Sequence, residues 1–209
     1  MIPSMQPEAI LIDWDGTLSH SKFWDGQTEF EPATKTRCTD FLFGGDGELA
    51  RRWMLGEATA TEAVGVVAEA LALDAAVLLR ALRRSCEQMR LVDPGILATV
   101  QQLRDHGVHV AIATDNMDTF TNWTVPALQL RQHFDGVISS SERQAFKRHL
   151  VDGRSPFFSE YFEQNGINPH RSVLLDDGLH NAAVQQLGME FVHINQDNPL
   201  VRALDALVH

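Results

Sequence analysis

Cysteine is nearly absent: Cys38 and Cys86 are the only two in 209 residues. They stand 48 positions apart, which fits neither a disulfide framework nor a thiolate metal site, so a reducing, cytoplasmic setting is expected. Basic residues are outnumbered, with 17 Lys and Arg against 28 Asp and Glu and a formal charge of −11. Nucleic acid and anionic membrane surfaces call for a positive field, so neither is expected as a partner. Long apolar runs are missing, and none approaches a membrane span. Met1 to Glu8 has no basic segment followed by an apolar one, so no signal peptide is expected. Fixed-period repeats and low-complexity tracts are lacking as well.

What is present is an ordinary globular composition, 44% apolar and 22% charged, at a length that suits one domain or one domain with an insertion. Five short apolar runs punctuate it: Ala9–Ile12, Val108–Ala113, Gly136–Ser139, Ser172–Leu175 and Glu190–Ile194. They are rich in β-branched residues and too short for helices, as expected of strands buried on both faces of a parallel sheet. Helical patterns lie between them. Gly95–His106 stops at Gly107, Ser155 begins another with Pro156 in its first turn and Gly166 past its end, Leu179–Leu187 ends at Gly188, and a last one runs from Asn198 to Val208. Thr119–Arg131 is a weaker pattern, because Pro126 should start or kink a helix. The alternation predicts an α/β fold with a parallel sheet and right-handed crossovers.

Residues 20–92 break that rhythm. They have little strand character, and Gly47–Trp53, Thr61–Leu71 and Asp74–Met89 read as helices, so a mostly helical insertion after the first strand is expected. Gly44-Gly45-Asp46-Gly47 reads as a turn, since no strand precedes it and its spacing fits no phosphate fingerprint. The insertion holds 9 basic and 11 acidic side chains, against 8 and 17 in the rest of the chain.

The chemistry concentrates at strand ends. The first strand runs into Asp13-Trp14-Asp15-Gly16-Thr17, which puts two acids at the C-terminal edge where open α/β sheets bind ligands. If extension continued, Asp13 and Asp15 would share a face. The second strand ends in Thr114-Asp115-Asn116. The third is followed by Ser140 and, further on, Lys147. The fourth runs into Asp176-Asp177-Gly178-Leu179-His180-Asn181. These four segments, in this order and at these strand ends, resemble the motifs of the haloacid dehalogenase-like (HAD) hydrolase superfamily from Asp13 to Asn181.

The resemblance implies a Rossmann-like core formed by 1–19 and 93–209, with 20–92 as a helical cap of the C1 type. It implies Mg²⁺ as cofactor and Asp13 as nucleophile. Asp15 would be the general acid and base, and its backbone carbonyl a metal ligand. Thr114 and Lys147 would bind phosphate. Asp177 is the primary candidate metal ligand beside Asp13, with Asp176 second or sharing the role, and Asn181 would orient them. Arg154 competes with Lys147 for the cationic role, because Arg148–Arg154 separates Lys147 from the Ser155-Pro156 step; spacing favours Lys147. Dehalogenases of the superfamily have no use for an acid at Asp15, so its presence favours a phosphatase acting on a small phosphorylated metabolite. A phosphomutase, or a binding module without catalysis, is the alternative.

Within the insertion, Arg80, Arg83 and Arg84 share a helix face with Arg90 nearby, read as a solvated face before an anion site. His20, Lys22, Phe23 and Trp24 could line an entrance, the two aromatic residues equally well serving the core. His180 and His193 show no ligand spacing.

Overall fold

The computed structural model describes residues 6–28, 31–178 and 182–208. Among these, five strands form one parallel sheet in the order β3-β2-β1-β4-β5, with β1 Ala9–Ile12, β2 His109–Thr114, β3 Gly136–Ser139, β4 Ser172–Asp176 and β5 Glu190–His193. The registers pair Ile12 with Ile112 on one side and with Leu175 on the other. Three strands therefore end level with one another, carrying Asp13, Thr114 and Asp176 to one edge. The α/β fold and its parallel sheet are as the sequence indicates.

The continuous apolar runs serve two cores, one on each face. Ile10, Ile12, Val110, Ile112, Val173 and Leu175 face one cluster, and Leu11, Ala111, Ala113, Ile138 and Leu174 face the other. Side chains alternate along each strand, so each run must be apolar throughout. The second cluster is completed by Phe157, Phe158, Tyr161 and Phe162. The first is shared with the helices that follow β1.

Those helices are α1 Pro32–Phe43, α2 Glu48–Met54, α3 Ala60–Leu71 and α4 Ala75–Glu87. The last three match the sequence reading within a residue or two. Thr59 and Glu62 form a reciprocal capping box on α3, and Asp74 caps α4. Helix α1 was not anticipated. It buries only Cys38 and Leu42, too narrow an apolar stripe to register as a helical period. The chain leaves and re-enters the sheet domain at one place: Ser19 Oγ donates to the Arg90 carbonyl at 2.7 Å, and Val92 N–H donates to the Leu18 carbonyl at 2.9 Å.

Beyond α5 (Ile96–Asp105) and β2, the Thr119–Arg131 pattern resolves into a π-helical turn, Phe120–Thr124, followed by the short helices α6 Val125–Ala127 and α7 Leu130–His133. Pro126 is the reason. It has no N–H to donate, and its ring would crowd the carbonyl four residues back, so the ladder widens just before it. Ser140–Arg143 forms α8. The helix expected from Ser155 begins a turn later, as α9 Ser159–Asn165 with Gly166 in the left-handed conformation at its end. Ser155 Oγ instead accepts from Phe158 N–H. Helices α10 Ala182–Gln186 and α11 Leu200–Val208 complete the fold. Leu179, His180 and Asn181 lie outside the described residues.

Candidate active site

β1 ends at Ile12, and the chain turns at once. Leu18 N–H donates to the Asp13 carbonyl, Ser19 N–H to that of Trp14, and Gly16 N–H to that of Ser19. Extension does not continue through Asp15, so alternation along a strand does not set how the two aspartates are placed. Asp13 is 5% exposed. The Asp15 side chain is 55% exposed, and its Oδ1 lies 2.7 Å from Lys22 Nζ. The turn depends on Gly16, at φ +83°: a Cβ there would stand 1.9 Å from Asp177 Oδ2. Only glycine gives both the left-handed backbone and the space for that carboxylate.

Lys147 reaches the same edge from the loop after β3 and α8. Its Nζ lies 2.8 Å from Asp13 Oδ1 and 2.5 Å from Asp176 Oδ2, with all three side chains no more than 10% exposed. Its backbone N–H donates to Asp115 Oδ1 at 2.9 Å, which fixes where the lysine leaves the chain. Burial works against the lysine charge, but Asp13, Asp176 and Asp115 outweigh it and hold the ammonium above the ordinary lysine range. Arg154 is on the surface, paired with Glu163. The structure therefore brings Lys147, and not Arg154, to Asp13.

Asp13, Asp176 and Asp177 each offer a carboxylate oxygen within 4.8 Å of the others. Three hard oxygen donors so close together suit a cation such as Mg²⁺. Burial raises Asp13 to about 7, against the pull of Lys147 and with a further push from Asp176. Asp177 is raised too, first by burial and then by Asp176 and Asp15. Acids crowded in this way are costly to ionise without a balancing charge. Asp177 N–H donates to Thr17 Oγ1 at 3.1 Å, and Gly178 N–H to Asp176 Oδ1 at 2.7 Å. The carboxylate of Asp15 is outside the trio, and the expected contribution of Asn181 falls outside the described residues.

Thr114, at the end of β2, is fully buried, and its Oγ1 has no hydrogen-bond partner among the described residues. An unmet buried hydroxyl costs free energy unless something else supplies an acceptor. Thr17, Asp115 and Ser140 lie in the motif segments but were given no role from the sequence, and Asp118 was not singled out at all. Ser140 Oγ donates to the Met54 carbonyl at 2.6 Å and accepts from Asn116 N–H at 2.9 Å. Asp118 accepts from Trp53 Nε1 at 2.6 Å and from Ala60 N–H at 3.2 Å. Both tie the α2–α3 region to the sheet domain, a tertiary relation with no local signal in sequence.

A cavity of about 540 Å³ opens between the insertion and the strand ends; Asp15, Asp115, Asn116, Lys22 and Phe23 are among its lining, whereas Asp13, Lys147 and Asp177 are not. Trp24 belongs to the core, 2% exposed, with its Nε1 donating to the Leu78 carbonyl. His20 lines a different cavity, beside Asp177 and His193. Arg80, Arg83, Arg84 and Arg90 are all exposed and absent from the lining, and Arg83 pairs with Glu87 along α4. That is the solvated face the sequence suggested.

Comparison with known proteins adds the following. Residues 7–184 match a hydrolase family model, that of the haloacid dehalogenase-like hydrolases. No curated protein matches the chain by sequence. Among solved structures, a HAD family enzyme from Bacteroides thetaiotaomicron, in complex with magnesium and inorganic phosphate, superposes with a TM-score of 0.67 at 19% identity, over 90% of this chain and 94% of its own. L-2-haloacid dehalogenase from Xanthobacter autotrophicus, with chloropropionic acid covalently bound, superposes with a TM-score of 0.57 at 16% identity, over 91% of this chain and 80% of its own. At such identities the superpositions establish a shared fold and not a shared substrate.

Proposed function

The chain belongs to the haloacid dehalogenase-like hydrolases, and we propose that within that family it is a Mg²⁺-dependent phosphatase cleaving a phosphate monoester through an aspartyl-phosphate on Asp13. The observation that carries this reading is the pairing of a buried carboxylate held by Lys147 with a second, exposed carboxylate two residues on, in the lining of the cavity. Displacing a halide needs no acid. Expelling an alkoxide does.

Asp13, Asp176 and Asp177 would hold the metal, together with the Asp15 backbone carbonyl. Mg²⁺ supplies positive charge that offsets repulsion between the nucleophile and an anionic substrate. Asp13 attacks phosphorus in line with the ester bond. Lys147, which keeps its proton, orients Asp13 and stabilises charge on the phosphoryl oxygens. Thr114 Oγ1, with no acceptor in the protein, donates to one of those oxygens. Asp15 gives its proton to the departing alkoxide, then takes one from the water that cleaves the aspartyl-phosphate, so phosphate leaves and Asp13 is restored. The Asp15–Lys22 pair does not block this, since both side chains are more than half exposed and such a pair is worth at most about 1 kcal/mol.

We read residues 20–92 as a cap that closes the cavity over the site and limits water. The two free, buried thiols suit a cytoplasmic protein.

The test is phosphate release from a panel of esters, with Mg²⁺ and with EDTA. Asp13→Asn is expected to abolish turnover, and Asp15→Asn to slow esters of poor leaving groups far more than p-nitrophenyl phosphate. Wild-type turnover by Asp13→Asn, activity unmoved by EDTA, or halide release from a 2-haloacid in place of phosphate release would overturn the reading. Isomerised ester in place of free phosphate would indicate a mutase.

A further inference from the structure

Part of the cavity lining is apolar. Phe23, Phe43, Met54, Met89 and Met117 belong to it, in the same cavity as Asp15 and Asn116. Phe23 and Phe43 have ring centroids 6.4 Å apart, and Phe23 is backed by Trp53 at 5.7 Å. The wall is thus a braced aromatic surface and not a loose side chain. Phe43 lines the cavity and remains 47% exposed, so folding leaves apolar ring surface uncovered. The methionines add polarizable, adaptable surface of the kind that packs well on rings.

The cavity also has polar lining, which includes Ser21, Asp40, Asp115 and Asn116. Lys22 lies against Asp15 and Lys35 against Asp25, so each lysine charge is balanced by a neighbouring carboxylate. Thr36 and Thr39 spend their hydroxyl protons on carbonyls one turn back in α1. Hydroxyls of a leaving group laid on the Phe23–Phe43 rings would find no partner there, which is costly. A ring would instead cover surface that water now touches.

We infer that the substrate is a phosphate monoester of a primary alcohol bearing an aromatic or heteroaromatic ring, the ring seated on the Phe23–Phe43 wall and the ester at Asp13. This rests on the phosphatase reading. Hydrolysis breaks the ester P–O bond, the alcohol leaves with the proton from Asp15, and water supplies the oxygen that completes inorganic phosphate. The volume of about 540 Å³ is in the range of sites that enclose small organic ligands, and a two-carbon or three-carbon alcohol would leave much of it filled by water.

The test compares 2-phenylethyl phosphate with ethyl phosphate, glycerol phosphate and glucose 6-phosphate, all esters of primary alcohols, so that ring and not leaving-group strength is varied. With Mg²⁺ present, kcat/KM is expected to be about tenfold higher or more for the phenylethyl ester. Phe43→Ala should shrink that ratio to about threefold or less, mainly through KM. Its partly exposed position makes misfolding of this variant a small concern, and the substrate series tests the inference without it. Equal or better use of glycerol or glucose esters, or a ratio unmoved by Phe43→Ala, overturns the inference while the phosphatase reading stands. Absence of metal-dependent phosphate release from every ester overturns both.

Discussion

Replacing Lys147 by Met keeps most of the apolar stem and removes the ammonium. In the folded protein that ammonium touches Asp13 at 2.8 Å and Asp176 at 2.5 Å, with side-chain exposures of 8, 7 and 10% for the three residues. Breaking a buried ion pair by deleting one partner costs about 3–5 kcal/mol, because a charge is left buried without compensation. Two carboxylates lose the same cation here, so the upper half of that range is expected for metal-free protein at pH 8. At roughly 2–4 °C per kcal/mol for a chain of this size, Tm should fall by about 8–20 °C. The pH dependence carries the physical content. Burial already raises Asp13 to about 7 with Lys147 beside it, and removing Lys147 takes away the main influence opposing that rise. The folded variant then binds a proton on Asp13 at a higher pH than wild type does, whereas the unfolded chain binds none until about pH 4. The folded state therefore gains relative stability as pH falls, and the deficit of the variant should narrow between pH 8 and pH 5. Urea unfolding in EDTA at both pH values measures this. A variant as stable as wild type at pH 8, or a deficit that stays constant down to pH 5, would refute the argument.

Other outcomes follow from the same geometry. Gly16→Ala should push the Asp177 carboxylate aside, since the new Cβ would fall 1.9 Å from Oδ2; a weakening of Mg²⁺ binding by about tenfold to a hundredfold is expected by calorimetry, with the fold retained. Mg²⁺ should raise Tm more at pH 8 than at pH 5.5, because burial raises both Asp13 and Asp177 and protons then compete with the metal at the lower pH. Thermal melts with and without the ion check this, and an equal shift at both pH values would count against Asp13 as a ligand. Asp118→Ala removes the acceptor for Trp53 Nε1 and Ala60 N–H, and should cost about 1–3 kcal/mol. Hydrogen exchange should rise selectively from the end of α2 to the start of α3, and uniform exchange across the chain would contradict the tie.

The sequence by itself determined the strand set, because parallel strands buried on both faces read as near-continuous apolar runs, as Ala9–Ile12 and Val173–Leu175 do. It also located the acids, the hydroxyl and the lysine after the strands, since local spacing records them. It did not reveal α1, whose buried stripe is too thin to leave a period, nor the π turn before Pro126, where a missing N–H had to be absorbed by the surrounding packing. Tertiary structure alone decided that Asp13 is buried while Asp15 is exposed, because the turn at Gly16 ends the alternation from which a shared face was expected. It alone decided between Lys147 and Arg154, since charge type is common to both and only the course of the loop after β3 brings one of them within 2.8 Å of Asp13. The apolar wall of the cavity is likewise a tertiary fact. Phe23, Phe43, Met89 and Met117 lie far apart along the chain, and the packing of the helices after β1 near the strand ends is what gathers them around one cavity.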